Sequence, residues 1–238
     1  MKTALRAENK ANISPERRVN ALKKAAAILV CICFALVLVS AMLVSPPTGR
    51  KYADYRTKQG LEALKNSDYQ SAERFFRSAQ RTRPEGATAS MALSLLYRRR
   101  GREDLARKAL EQAAAAQTRS PEIYLTLCTL YVQQGRLAEA TALLDGVNNQ
   151  YVRQRIAAVR PQPPEPYPRP GPHEAGTKLG FFTRPGTAIY YTLTGEAPTL
   201  QTPYQNETLP LRAHVTLRAV AVKDGIASSM LWEEYTVR

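Results

Sequence analysis

The sequence predicts a multidomain chain: a single transmembrane helix, an all-α solenoid of helix-turn-helix units, and a C-terminal all-β sandwich. Three observations predict it. Residues 25–45 run twenty-one positions without a charge, small and large residues recur at a step of 34 through the middle, and the last third turns to period-two runs between turn residues. A chain of 238 residues has room for one or two domains with accessories.

The formal charge of +14 is unevenly placed. Residues 1–24 hold seven Lys or Arg against two Glu, and residues 50–160 hold twenty against eleven acids. The remainder of the C-terminal part is balanced at seven against seven, so nucleic acid is not expected as a partner there. The three cysteines, Cys31, Cys33 and Cys128, suit neither a disulfide framework nor a metal quartet.

After the basic tail (1–24), "AAAILVCICFALVLVSAMLVS" (25–45) is long enough, at about 1.5 Å per residue, to cross a hydrocarbon core of about 30 Å. It lacks the polar face of a buried soluble helix. Val39-Ser40-Ala41 carries the small residues a signal peptidase accepts, but the charged leader is long and the apolar run exceeds the usual length of a cleaved peptide. An uncleaved anchor is therefore expected. Lys and Arg on the N-terminal flank favour a cytoplasmic N-terminus, with the bulk of the chain on the extracytoplasmic side.

Residues 52–147 repeat with a period of 34. Ala72, Ala106 and Ala140 mark the step, followed by Gly60, Ser94 and Cys128, by Phe76, Leu110 and Leu144, and by Ala79, Ala113 and Val147. Small residues let two antiparallel helices cross closely, and large ones a turn away fill the layer between units. Ser67, Gly101 and Gly135 permit the turn inside each unit, while Pro84 and Pro121 fall where new helices begin. The pattern resembles the tetratricopeptide repeat, in three units. It departs from that family at Arg56 and Ser90, where the first helix usually has a large residue, and Gln59 stands where the other units have Leu93 and Leu127. Residues 148–160 ("NNQYVRQRIAAVR") are expected as a capping helix, with Tyr151, Ile156 and Val159 at helical spacing.

The resemblance implies that partner proteins bind along the concave face of the first helices. In this register the face is lined by Leu61, Leu64, Met91, Leu95, Arg98, Leu125, Thr129 and Val132. The Lys and Asn with which one subclass grips a terminal carboxylate are replaced by Thr57 and Leu61, so that clamp is not expected. Arg98, Arg99, Arg100 and Arg102 form a basic patch. It reads either as a solvated helix end, where cations suit the carbonyl terminus, or as a contact for anionic lipid or an acidic cell-wall polymer.

"RPQPPEPYPRPGP" has seven prolines, so residues 161–172 are expected as a stiff linker. From 173 to 238, β-rich runs alternate with turn signals at Pro185-Gly186, Thr194-Gly195 and Asp224-Gly225. "IYYTLTGEAPT" (189–199), then "AVAVKDGIASS" (219–229), resemble the chitobiase/beta-hexosaminidase C-terminal domain over about residues 163–238, with Thr194 at a turn position that usually holds Asp. That resemblance implies an immunoglobulin-like accessory sandwich without catalytic residues. Tyr190, Tyr191 and Glu196 are the candidate glycan contacts.

The sequence offers no nucleophile-elbow, phosphate-loop or metal-ligand pattern, and neither a catalytic site nor a cofactor is expected. The expectation is a non-enzymatic, membrane-anchored scaffold at a bacterial cell surface, with a protein partner in the groove. The alternative is a glycan- or cell-wall-binding surface protein in which the repeats are a spacer.

Overall fold

The computed structural model describes residues 49–238, so the basic tail and the apolar run at 25–45 lie outside the described residues. Among the described residues no helix is long and apolar enough to cross a membrane. Six helices pair into three units: α1 (Gly49–Lys65) with α2 (Tyr69–Thr82), α3 (Ala87–Arg99) with α4 (Glu103–Ala115), and α5 (Pro121–Gln133) with α6 (Leu137–Asp145).

The repeat is visible in backbone and packing alike. Ser67, Gly101 and Gly135 all sit in the left-handed region, at φ 59°, 66° and 75°. That conformation turns the chain so that the amides of Asp68, Arg102 and Arg136 donate back to the carbonyls of Ala63, Tyr97 and Tyr131, at 2.9, 2.8 and 2.8 Å. One helix-ending bond thus recurs at every step, and glycine makes it least strained. Asp68 then caps α2 by accepting from the Ser71 amide at 3.0 Å, and hydrogen bonding from Ser71 holds its carboxyl below the ordinary range.

Ala72, Ala106 and Ala140 are fully buried at the helix crossings, as are Phe76 and Leu110 beside them. Gly60 lies against Phe76 so closely that a methyl group there would stand 2.5 Å from Cε1 of the ring. The two departures from the repeat pattern have their own local solutions. Arg56 lays its guanidinium over Phe75, 4.9 Å from the ring centre, and donates to Ser78 Oγ at 3.2 Å. Ser90 accepts at 3.0 Å from the buried amide of Gln80, which also donates to the Ala109 carbonyl at 2.7 Å.

The array ends in α7 (Gln150–Ala157), capped by Asn149, whose side chain accepts from the Val152 amide at 3.1 Å. Its buried residues are Val152 and Ile156, one turn apart, whereas Tyr151 and Val159 point outwards. The apolar spacing of Tyr151, Ile156 and Val159 therefore does not define the packed face. The aliphatic pair at i and i+4 does.

Eight strands follow: β1 (Glu165–Tyr167), β2 (Gly171–His173), β3 (Lys178–Phe182), β4 (Ala188–Thr192), β5 (Leu209–Pro210), β6 (Val215–Lys223), β7 (Ile226–Ala227) and β8 (Leu231–Val237). One sheet runs β1-β3-β5, and the other runs β2-β8-β6-β4 with β7 on β6. The expected linker at 161–172 thus supplies two strands, and both lie at sheet edges, where a residue without an amide hydrogen is tolerated. Leu179 and Phe181 of one sheet meet Ile189, Leu217, Ala219 and Tyr235 of the other in a shared core.

The larger sheet is apolar on its outer face as well. Tyr190, Val220 and Val222 pack, with Ile226, Ala227 and Met230, into the core that contains Cys128 and Tyr124 of α5. The sandwich is thus seated on the third helical unit. Arg160 fastens the join: it donates to Asp145 Oδ1 at 2.6 Å, to the Ala227 carbonyl at 3.1 Å and to the Thr141 carbonyl at 3.5 Å. Ser229 Oγ donates to the same Asp145 oxygen at 2.9 Å.

Candidate protein-interaction groove

The first helix of each unit presents its outward positions on one side of the array. Leu61 and Leu95 are the most open of these, 42% and 52% exposed; Leu64, Met91, Leu125 and Thr129 are half-buried, and Val132 is buried. The eight residues do not form one continuous open surface. The hairpin turn Asp224-Gly225, with φ 51° and 76°, comes down on α5, where a Cβ at Gly225 would meet Thr129 Cγ2 at 3.0 Å. The Ala227 amide donates to Cys128 Sγ at 3.5 Å, and Leu125 and Met91 pack against the same core as Val222 and Ile226. What remains open lies over units one and two, at Leu61, Leu64, Leu95 and Arg98.

Two cavities sit in that open part. The first, about 670 Å³, lies between Thr57, Lys58 and Leu61 of α1 and the loops that lead into α3 and α5. Its floor holds the ion pair Arg83–Asp54 at 3.6 Å, with Glu85 on the same guanidinium at 3.1 Å. The second, about 210 Å³, is apolar, walled by Leu64, Tyr69, Ala92, Leu95 and Leu96, with Arg99 and Arg100 on its rim. Tyr69, Ala92 and Leu96 were not candidates from sequence, because the wall joins two units and no single repeat contains it.

The basic patch divides in two. Arg100 is tied down: its Nη1 lies 3.3 Å from Glu73 Oε2, and its guanidinium sits 5.7 Å from the centre of the Tyr69 ring. The same Glu73 also accepts from Arg77 at 2.9 Å and from the Tyr97 hydroxyl at 3.1 Å. Arg98 and Arg99, in the last turn of α3, and Arg102 are exposed and, among the described residues, make no ion pair.

The candidate glycan residues are separated. Tyr190 faces the helical array, whereas Tyr191 lies in the sandwich, where its hydroxyl donates to Glu207 Oε1 at 2.9 Å; burial, then this bond, pushes it up to about 12. Glu196 is an exposed turn residue whose amide donates to Thr194 Oγ1 at 3.4 Å across Gly195, so the threonine hydroxyl takes the turn-bracing role of a short polar side chain. The exposed aromatics of the sandwich are others: Phe182 (62%) beside Tyr167, with ring centres 4.9 Å apart, and Trp232 (61%) beneath the Arg218 guanidinium at 5.0 Å. Among the described residues no cluster of His, Cys, Asp and Glu has the makings of a metal site.

A helical-repeat array with an exposed apolar groove, closed at one end by a β-sandwich, defines a binding scaffold. The chain carries tetratricopeptide repeats followed by a chitobiase/beta-hexosaminidase C-terminal domain: two tetratricopeptide-repeat models match residues 57–122 and 97–160, and the C-terminal domain model matches residues 168–232. Curated protein sequences yield no match. Solved structures with a similar stretch include SycD, the type III secretion translocator chaperone of Yersinia enterocolitica, at 19% identity over 51% of this chain and 84% of that one, with a TM-score of 0.37. Pseudomonas aeruginosa pilF matches at 20% identity, over 46% of this chain and 49% of its own, with a TM-score of 0.36. A mutant Thermobaculum terrenum O-GlcNAc transferase matches at 20% identity, over 42% of this chain and 19% of its own, with a TM-score of 0.33. The matched stretch is thus about half the length of pilF and a fifth of that of the transferase.

Proposed function

We propose that the chain is a non-enzymatic, single-pass membrane scaffold that holds a partner protein in the groove over its first two repeats. The observation that carries the reading is the pair Leu61 and Leu95, large aliphatic side chains 42% and 52% exposed, the first lining the larger cavity and the second the smaller. The uncharged run at 25–45 supports the anchor, and the basic tail before it supports an N-terminus on the cytoplasmic side with the repeats on the outer side. Anchoring confines the groove to the membrane surface and raises its effective concentration for partners held there.

The sandwich closes the groove at the third unit. Its outer sheet face covers the first helix of the last unit on the groove side, while α7 packs its own Val152 and Ile156 into that unit's core. Site-specific photocrosslinking from Leu95 in intact cells, with Tyr151 as the control position, tests the reading. A discrete crosslinked protein from Leu95 and none from Tyr151 is expected; equal labelling from both would remove the groove as the binding surface. Protease treatment of intact cells tests the side of the membrane, and uncut repeats would reverse the orientation. A second reading, glycan binding by the sandwich, draws on Phe182, Tyr167 and Trp232. Retention of the chain on chitin or peptidoglycan that is lost on Trp232→Ala or Phe182→Ala would favour it.

A further inference from the structure

The groove reading leaves the chemistry of the partner open, and the small cavity narrows it. At about 210 Å³, with walls of Leu64, Ala92, Leu95 and Leu96, it has room for one large apolar side chain and only two cationic groups on its rim. Leu95 is followed on the same helix face by Arg98 and Arg99, three and four positions on, so the exposed leucine and two cations lie within one turn.

Those cations are not neutralised within the described chain. Glu73, the carboxylate paired with Arg100 at this helix end, already serves Arg77 and the Tyr97 hydroxyl as well. Arg102, at the start of α4, adds a further exposed cation just beyond the helix end. Guanidinium groups pair well with carboxylates through parallel hydrogen bonds. An apolar socket with Arg99 on its rim, and with Arg98 and Arg102 exposed at the same helix end, is complementary to an apolar side chain flanked by acids.

We infer that this socket docks an acidic segment of the partner, placing a leucine- or phenylalanine-sized side chain against Leu64, Leu95 and Leu96 and its neighbouring carboxylates on Arg98 and Arg99. The inference rests on the groove reading of the preceding section. The segment is short, because the sandwich closes the groove at the third unit.

Fluorescence anisotropy of the detergent-solubilised full chain tests it with three labelled peptides: a Glu-Glu-Leu-Leu repeat, its Lys-Lys-Leu-Leu counterpart and a Glu-Glu-Ser-Ser counterpart. The Glu/Leu peptide is expected to bind best, with the other two weaker by about tenfold or more, the effect of one lost pairing. Leu95→Asp and Arg99→Glu, both at exposed positions, are each expected to weaken it by about tenfold with an unchanged circular dichroism spectrum. Equal binding of the Lys/Leu peptide, or indifference to both substitutions, would overturn the inference. So would displacement of the peptide by monomeric dihexanoylphosphatidylglycerol, which would assign the arginines to lipid headgroups. If the Leu95 crosslink forms but no peptide binds, the acidic specificity fails and the groove stands; if the crosslink also fails, the groove reading falls with it.

Discussion

Replacing Gly60 by alanine separates two effects of opposite sign. In a solvated helix interior the change would stabilise by about 1 kcal/mol, because glycine has more backbone freedom to lose on folding. Here the new methyl would meet Phe76 Cε1, Cδ1 and Cζ at 2.5, 2.7 and 2.9 Å. The ring is fully buried, with Ala72 and Ala79 on its own helix packed around it, so it has to move by about 1 Å against a filled core. Overpacking of this kind costs about 1–3 kcal/mol, which exceeds the propensity gain. The expected net effect is a loss of about 1 kcal/mol, or a fall of about 2–4 °C in Tm for a unit of this size. The later repeats point to the remedy: Ser94 and Cys128 hold the glycine position where Leu110 and Leu144 hold the phenylalanine position. The double variant Gly60→Ala/Phe76→Leu should accordingly be more stable than the sum of its singles by about 1–2 kcal/mol. Urea unfolding of the detergent-solubilised chain, followed at 222 nm, measures all three. An increase in stability for Gly60→Ala alone would refute the close approach on which the helix crossing rests.

Other consequences are measurable in the same way. Gly101→Ala places a Cβ in a left-handed conformation with free space around it, so strain alone should lower stability by about 1 kcal/mol, while Ser67→Gly should raise it by less. Arg160→Ala removes the charged hydrogen bonds that fasten the sandwich and should cost about 2 kcal/mol at that join. Cys128, buried and with its thiol pushed up by that burial, should then become alkylated in the folded protein, as read by peptide mass; unchanged protection would show that Arg160 is dispensable. Burial pulls the Glu111 carboxyl up, but hydrogen bonds from Tyr131 (2.7 Å) and Arg107 (2.6 Å) outweigh it and hold the group below its ordinary value. Its contribution is therefore complete above the unfolded carboxylate value and disappears as pH falls through the lower folded one, and Glu111→Gln should flatten that acid-side loss.

The helical array was legible because its determinants are local and repeated. A small residue every 34 positions fixes where helices cross, and Ser67, Gly101 and Gly135 fix where they turn. The seat of the sandwich was not read, although a trace of it stands in "AVAV" at 219–222: an unbroken apolar run marks a strand covered on both faces, while alternation marks one open to water. Neighbours on a strand such as Tyr190 and Tyr191 face opposite ways, but alternation does not reveal that the outward face meets α5. The prolines of 161–172 specify extended backbone, which both a spacer and an edge strand use; only the presence of β3 and β8 to pair with distinguishes them. The groove candidates on α5, Thr129 above all, lay on surface that a distant segment covers.

Because the β-hairpin at Asp224-Gly225 is shaped to one particular helix pair, the array has a fixed end and a free one. Duplication of an internal unit would lengthen the open surface on its N-terminal side and leave the closing contacts untouched. The same duplication inserted after Val147 would strand the hairpin on the wrong partner. Growth of such a protein by gene duplication is therefore directional.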